Sequence, residues 1–200
     1  MKNRPSLKHC RTIFISDVHL GTKGCKAELL NSFLKAHRCE NLFLVGDIID
    51  GWRISSTKWY WPSAHNRVVR QILRKSEKEK TNVFYVVGNH DEFLREYIAE
   101  HNFEMGNIKI VNEFRHETAK RKLDGVVCGH IHHAEMKTIN GIRYYNCGDW
   151  VQSCTAIVED MAGNLDIVTW TGSDVDHAEK VIYLDNEDSA PGDGKDRKVA

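Results

Sequence analysis

Apolar and polar positions along the chain follow two periods, and the alternation between them predicts the elements. Short, largely apolar runs at 12–16, 42–45, 83–87, 108–111 and 126–128 read as buried strands. Between them, Leu29, Leu30, Phe33 and Leu34 recur at helical spacing and predict a helix over 26–37. Val68, Val69, Ile72 and Leu73 form a second helical stripe, in a long helix that starts at Pro62-Ser63. Its charged far end, 74–80, reads as a solvated face, and Thr81-Asn82 stops it. A short helix is expected over 93–99, and the stretch 52–62 reads as aromatic and irregular. The later part of the chain changes style. Runs at 135–139 and 142–146 flank Asn140-Gly141, a strong signal for a hairpin with a type I′ turn. Runs at 155–158 and 165–169 flank Ala162-Gly163-Asn164, a second hairpin. The order is βαβαβ first and hairpins afterwards. It predicts a layered α/β sandwich, parallel near the site and antiparallel toward the end. Residues 1–171 form the expected domain, and the polar tail 172–200, with almost no apolar residue after 185, is expected to be disordered.

Composition narrows the function classes. Twenty-eight basic and 28 acidic residues balance to a net charge of zero, which lowers the case for general nucleic-acid affinity. No apolar run approaches a membrane span, and the charged start Met1-Lys2-Asn3-Arg4-Pro5 has no apolar core after it, so no secretory signal is expected. Six cysteines without a C-x-x-C pair read as reduced thiols of a cytoplasmic protein.

Candidate chemistry sits at the strand ends. The run 83–87 stops at Gly88-Asn89-His90-Asp91; Asp17-Val18-His19 follows the first run; Gly46-Asp47-Ile48-Ile49-Asp50 follows the second; Gly129-His130-Ile131-His132 follows 126–128. Each motif alone reads equally well as a turn, a cap or a surface loop. Four in order, each ending an apolar run, bring imidazoles, carboxylates and an amide to one sheet edge, where layered α/β folds bind ligands. That is a metal site by composition. Residues two apart in an extended segment point the same way, so Asp17 with His19, and His130 with His132, are expected to converge. Trp52, Arg53, Trp59, Tyr60 and Trp61 follow closely and read either as a pocket wall or as ordinary packing of the long helix.

This ordered motif set resembles the calcineurin-like metallophosphoesterases over about 12–169. The flanking text Ser16-Asp17-Val18-His19-Leu20-Gly21, Asp50-Gly51-Trp52-Arg53 and Asn146-Cys147-Gly148-Asp149-Trp150 is similar to the bacterial UDP-2,3-diacylglucosamine diphosphatase-like group. The resemblance implies a four-layer α/β/β/α sandwich and a site with two divalent ions, manganese first, iron or zinc next. Asp17, His19 and His132 would hold one ion, Asn89 and His130 the other, and Asp47 would bridge them. A metal-activated hydroxide would cleave a phosphodiester or pyrophosphate bond. His90 would act at the leaving group, oriented by Asp91, while Asn89, His90 and Arg53 would contact substrate. The substrate implied is a nucleotide-lipid pyrophosphate, which brings with it peripheral contact with the inner membrane; nucleic acid is the less favoured partner.

The chain departs from that pattern in one interval. Between Val111 and Gly125 there is no strand ending in His-Gly-Asp and no helical insertion over the cleft. The expectation is a fold shortened by one strand and the cap, with a second metal site short of one imidazole. His116 is the nearest substitute. The alternatives are a shortened member with little activity and a metal-dependent nuclease.

Overall fold

The computed structural model describes residues 7–54, 60–95, 104–105, 108–111 and 124–173. Three strands form first: β1 (Lys8–Ile15), β2 (His37–Val45) and β3 (Asn82–Val86). They alternate with helices α1 (Ala27–Ala36), the one-turn α2 (Gly51–Ile54) and α3 (Ser63–Glu77). Strands β4 (Glu104–Met105), β5 (Ile108–Val111), β6 (Gly125–Cys128), β7 (Glu135–Ile139), β8 (Ile142–Asn146), β9 (Thr155–Glu159) and β10 (Leu165–Thr169) follow. They build a seven-stranded sheet ordered β10-β9-β1-β2-β3-β5-β4 and a three-stranded sheet ordered β6-β8-β7.

Strands β1, β2, β3 and β5 are mutually parallel in the large sheet, while β9 pairs antiparallel with β1, β10 antiparallel with β9 and β4 antiparallel with β5. The mixed pattern expected from the sequence is therefore present. Alternation along each strand divides the apolar residues between two layers. Ile13, Ile15, Leu42, Leu44 and Val83 face α1 and α3 in the main core, with Leu30, Phe33, Leu34 and Val68 opposite them. Phe14 and Ile157 point the other way, toward Tyr145 of the small sheet and Cys147 just after it. Each fully buried large side chain, such as Phe33, contributes roughly 1.5–3 kcal/mol. Outer positions of β7 are exposed, and no helix covering that face is among the described residues. No helix among the described residues is long and apolar enough to cross a membrane.

Several boundaries differ from the expectation. β1 starts at Lys8 rather than 12, because Lys8, His9 and Cys10 are paired in register with His37, Arg38 and Cys39 at the start of β2. β2 starts at His37, directly after α1. There the backbone turns extended (φ −119°, ψ 133°), and His37 Nδ1 bonds the Phe33 carbonyl at 2.8 Å. α3 ends at Glu77, not at 80. The β7–β8 hairpin has the expected turn, with Asn140 (φ 51°) and Gly141 (φ 82°) both left-handed. Of the short helix expected over 93–99, residues 93–95 are helical. The remainder of that helix, Trp59, His116, the shortened interval and the tail from 174 lie outside the described residues.

Candidate metal centre

The parallel strands β1, β2 and β3 end on one edge, and the loops beyond them are stitched together. Asp17 N–H donates to the Gly46 carbonyl, Val18 and His19 N–H to that of Asp47, Leu20 N–H to that of Ile48, and Asp50 N–H back to that of Leu20. Loop three joins at Gly46 N–H, which donates to Val86 O, and at His90 N–H, which donates to Asp47 Oδ1 at 2.7 Å. The small sheet delivers the fourth loop, where His130 N–H donates to Asp17 Oδ2 at 2.8 Å. All four motifs thus meet at one place.

Their backbone is bent in an unusual way. Asp17 (φ 51°), His19 (φ 52°), Asp47 (φ 55°), His130 (φ 79°) and His132 (φ 56°) are all left-handed. Such residues cost about 1–3 kcal/mol each and cluster at functional sites. The side chains therefore converge through turns, not through the pleat of an extended segment, which corrects the expectation above. Crowding explains the two glycines beside them. A Cβ on Gly129 would lie 2.3 Å from Asp17 Oδ2, and one on Gly88 would lie 2.3 Å from Asp47 Oδ1.

Asp17, His19 and His132 form one group. His132 Nε2 is 3.2 Å from Asp17 Oδ1 and 3.4 Å from His19 Nε2. Asp17 Oδ1 is buried and has no hydrogen-bond donor among the described residues. Burial pushes the Asp17 carboxyl above its ordinary range, against the pull of the His130 N–H. A buried carboxylate oxygen aimed at two imidazole nitrogens fits a divalent cation with mixed oxygen and nitrogen ligands.

His19, Asp50 and His90 form a second group. Asp50 Oδ1 accepts from Arg53 N–H at 2.9 Å at the start of α2. Its Oδ2 is left 3.2 Å from His90 Nδ1 and 3.4 Å from His19 Nδ1. The His90 contact is close but not an aligned hydrogen bond. Trp52 lies over the His90 ring at 4.0 Å between centroids, and His19 meets it edge-on at 4.6 Å.

Asp91 does not have the expected role. Its carboxylate accepts from Ile48 N–H at 3.0 Å, from Tyr85 OH at 2.7 Å and from Gly88 N–H, and it is fully buried. It ties the β2 and β3 loops together, and the carboxylate against His90 is that of Asp50. The sequence held Asp50 within a motif but gave no sign that it, and not the neighbouring Asp91, would reach the ring. Asp47 and His130 are in these loops without joining a group of three His, Cys, Asp or Glu ligand atoms among the described residues. Asn89 is half-buried between Gly88 and His90.

A cleft of about 1120 Å³ opens over His19, Asp50, His90 and His132, and Lys23, Trp52, Arg53 and Tyr60 line it. Lys23 Nζ lies 6.0 Å from the centroid of Tyr60. A second groove of about 660 Å³ shares Trp52 and His90 and is walled by Ile54 and Phe93, with Arg95 beside them.

The fold and this strand-edge cluster define a metallophosphoesterase. The family model for calcineurin-like phosphoesterases matches residues 10–190, and the chain belongs to that family: metal-dependent hydrolases that act on phosphoester bonds. No protein of curated function matches the sequence. Among solved structures, the chain is similar to an archaeal phosphodiesterase (16% identity, 79% of this chain and 98% of that one, TM-score 0.46). It is also similar to Yfce, a phosphoesterase from E. coli (17% identity, 80% and 99%, TM-score 0.45).

Proposed function

We propose that this protein is a two-metal phosphohydrolase that cleaves a phosphodiester or pyrophosphate bond, with a nucleotide-lipid pyrophosphate as its substrate class. The observation that carries the reading is the approach of Asp17 Oδ1 and His19 Nε2 to His132 Nε2, at 3.2 and 3.4 Å, with the carboxylate oxygen buried and without a hydrogen-bond donor among the described residues. These three would hold the first ion. Asp47, Asn89 and His130 would hold the second, with Asp47 shared. Divalent ions, manganese first, would supply Lewis acidity toward the phosphoryl oxygens and lower the pKa of water there.

The chain's own residues do the rest. Asp50 and Trp52 fix the His90 imidazole, one at Nδ1 and one on the ring face. With Nδ1 against Asp50, Nε2 is the nitrogen available to hold a proton for the departing oxygen. Asp47 holds the His90 backbone through its N–H, so the proton donor and the shared ligand keep a fixed separation. Arg53 lines the cleft and supplies a cation for a second phosphate.

Two hollows meeting at His90 support a substrate with an organic group on each side of phosphorus, as in a diester or pyrophosphate. A monoester has only one such group. The apolar wall of Trp52, Ile54 and Phe93 supports a lipid arm on one side. The test is hydrolysis of an aryl phosphodiester, a nucleotide-lipid pyrophosphate and DNA with added Mn²⁺, for the protein and for Asp47→Ala. Activity unchanged by Asp47→Ala would refute the site, and cleavage of DNA alone would refute the substrate class.

One observation favours a second reading, a single-ion protein of low activity. Asp17, His19 and His132 bring three imidazole and carboxylate ligand atoms together, whereas Asp47 and His130 join no such group of three His, Cys, Asp or Glu among the described residues and would need the Asn89 amide to complete theirs. Binding of one ion per chain with weak hydrolysis would select it.

A further inference from the structure

The first metal site is assembled from two sheets. Asp17 and His19 follow β1 of the large sheet, while His132 follows β6 of the small one. Whatever fixes the spacing between these sheets at this edge fixes the distance between the ligands. We propose that Asn146 is this positioning residue, holding the His130–His132 loop at ligating distance from Asp17 without itself touching the ion. The inference rests on the metal centre described above.

The geometry is a closed circuit. Asn146 is the last residue of β8, the central strand of the small sheet, and is fully buried. Its Nδ2 donates to the Gly129 carbonyl at 2.9 Å, immediately before His130. Its Oδ1 accepts from Gly148 N–H at 3.0 Å. The Gly148 carbonyl in turn accepts from Ser16 Oγ at 3.0 Å, immediately before Asp17. His130 N–H closes the loop on Asp17 Oδ2 at 2.8 Å. Four hydrogen bonds therefore run from the Asp17 loop through Gly148 and Asn146 to the His130 loop and back.

Neither end of the circuit has slack. Gly148 sits at φ 75°, and a Cβ there would lie 2.1 Å from Thr155 Oγ1. A Cβ on Gly129 would meet Ser16 and Asp17 within 2.5 Å. Only a side chain with a donor and an acceptor on one planar group can bond both glycines from the Asn146 position, and an amide has both. The amide is also 3.3 Å from Tyr144 OH and 3.6 Å from Cys128 Sγ, so its plane is held from several sides. Partners that orient metal ligands from behind in this way set affinity as well as geometry.

Asn146→Asp tests the assignment. It keeps size and the acceptor for Gly148, and it turns the donor facing Gly129 into an oxygen. Mn²⁺ titration of the full chain, read by the electron-spin signal of free Mn²⁺, should show affinity reduced about 10–100-fold. The thermal midpoint of the metal-free protein is measured alongside. Ser32→Ala, which removes the bond from Trp170 Nε1 to Ser32 Oγ in the main core, outside the Asn146 circuit, controls for general loss of stability. Asn146→Ser serves if the aspartate variant does not fold. Weakened binding in the Asn146 variants, with Ser32→Ala unchanged, is the expected result. Unchanged Mn²⁺ affinity in Asn146→Asp, with binding abolished in Asp17→Ala, would overturn the role of Asn146 alone. Equal loss in Ser32→Ala would reduce the effect to stability and overturn it too. Equal binding by the protein and Asp17→Ala would overturn the metal centre, and the role of Asn146 with it.

Discussion

Asp50 Oδ2 lies 3.2 Å from Nδ1 of His90, a residue of a different loop, while the Asp91 carboxylate beside His90 in sequence is turned away into the protein. The two aspartates therefore have separable jobs. Asp50→Ala should lower kcat on an aryl phosphodiester about 10–100-fold with the fold intact, because the imidazole loses its orienting partner. Asp91→Ala should lower stability by about 2–4 kcal/mol, since it strands two backbone N–H groups and the Tyr85 hydroxyl. Denaturant unfolding and steady-state rates on the same preparations check both. A stable Asp91→Ala protein with a selective loss of kcat would reverse the assignment.

His90 itself belongs to a ligand group with His19 and Asp50, so its role needs a direct test. As a proton donor it should be dispensable for metal binding. His90→Ala is expected to lose about 10²–10⁴-fold in kcat, most for substrates with poor leaving groups, and to bind Mn²⁺ as before. Loss of metal together with rate would make His90 a ligand.

The site's crowding predicts a further effect. Gly129→Ala would press a methyl group against Asp17 and Ser16, and something must shift. The expected outcome is destabilisation by about 1–3 kcal/mol together with loss of tight Mn²⁺ binding. Calorimetric melting and metal titration read the two parts.

Asp149 gives a pH signature. Burial alone would raise its carboxyl, but N–H groups of Gln152, Val151 and Ser153 and the Ser153 hydroxyl outweigh that and hold it below the ordinary range. Its folded-state pKa is thus depressed relative to the unfolded chain. The stability it contributes is present above the unfolded value and is lost as pH falls through the folded one. Asp149→Asn should therefore melt lower than the parent near pH 7, and the gap should narrow as pH falls below the ordinary aspartate range. A gap independent of pH would mean that charge is not what Asp149 supplies.

The longer strands, helices α1 and α3 and the four loops were legible in the sequence because a short apolar run ending in glycine or aspartate is itself the signature of a strand reaching an edge, whereas the one-turn α2 and the two-residue β4 were not. The sandwich order followed from the switch between helical and alternating periods. Three things were not legible. His37 changes from helix to strand with no glycine or proline between them, so the junction left no mark. The left-handed backbone at Asp17 and His19 depends on hydrogen bonds to the Gly46 and Asp47 carbonyls of another loop, which spacing alone does not reveal. The choice between Asp50 and Asp91 as the partner of His90 was decided by where Ile48 N–H and Tyr85 OH lie in space, not by distance along the chain.

The central claim is that the strand ends build a metal centre. Manganese content per folded chain, by elemental analysis after loading and desalting, tests it most directly, with Asp17→Ala beside the parent. Two ions per chain, with loss in the variant, is the predicted result. No retained manganese, or the same amount in both proteins, would contradict it.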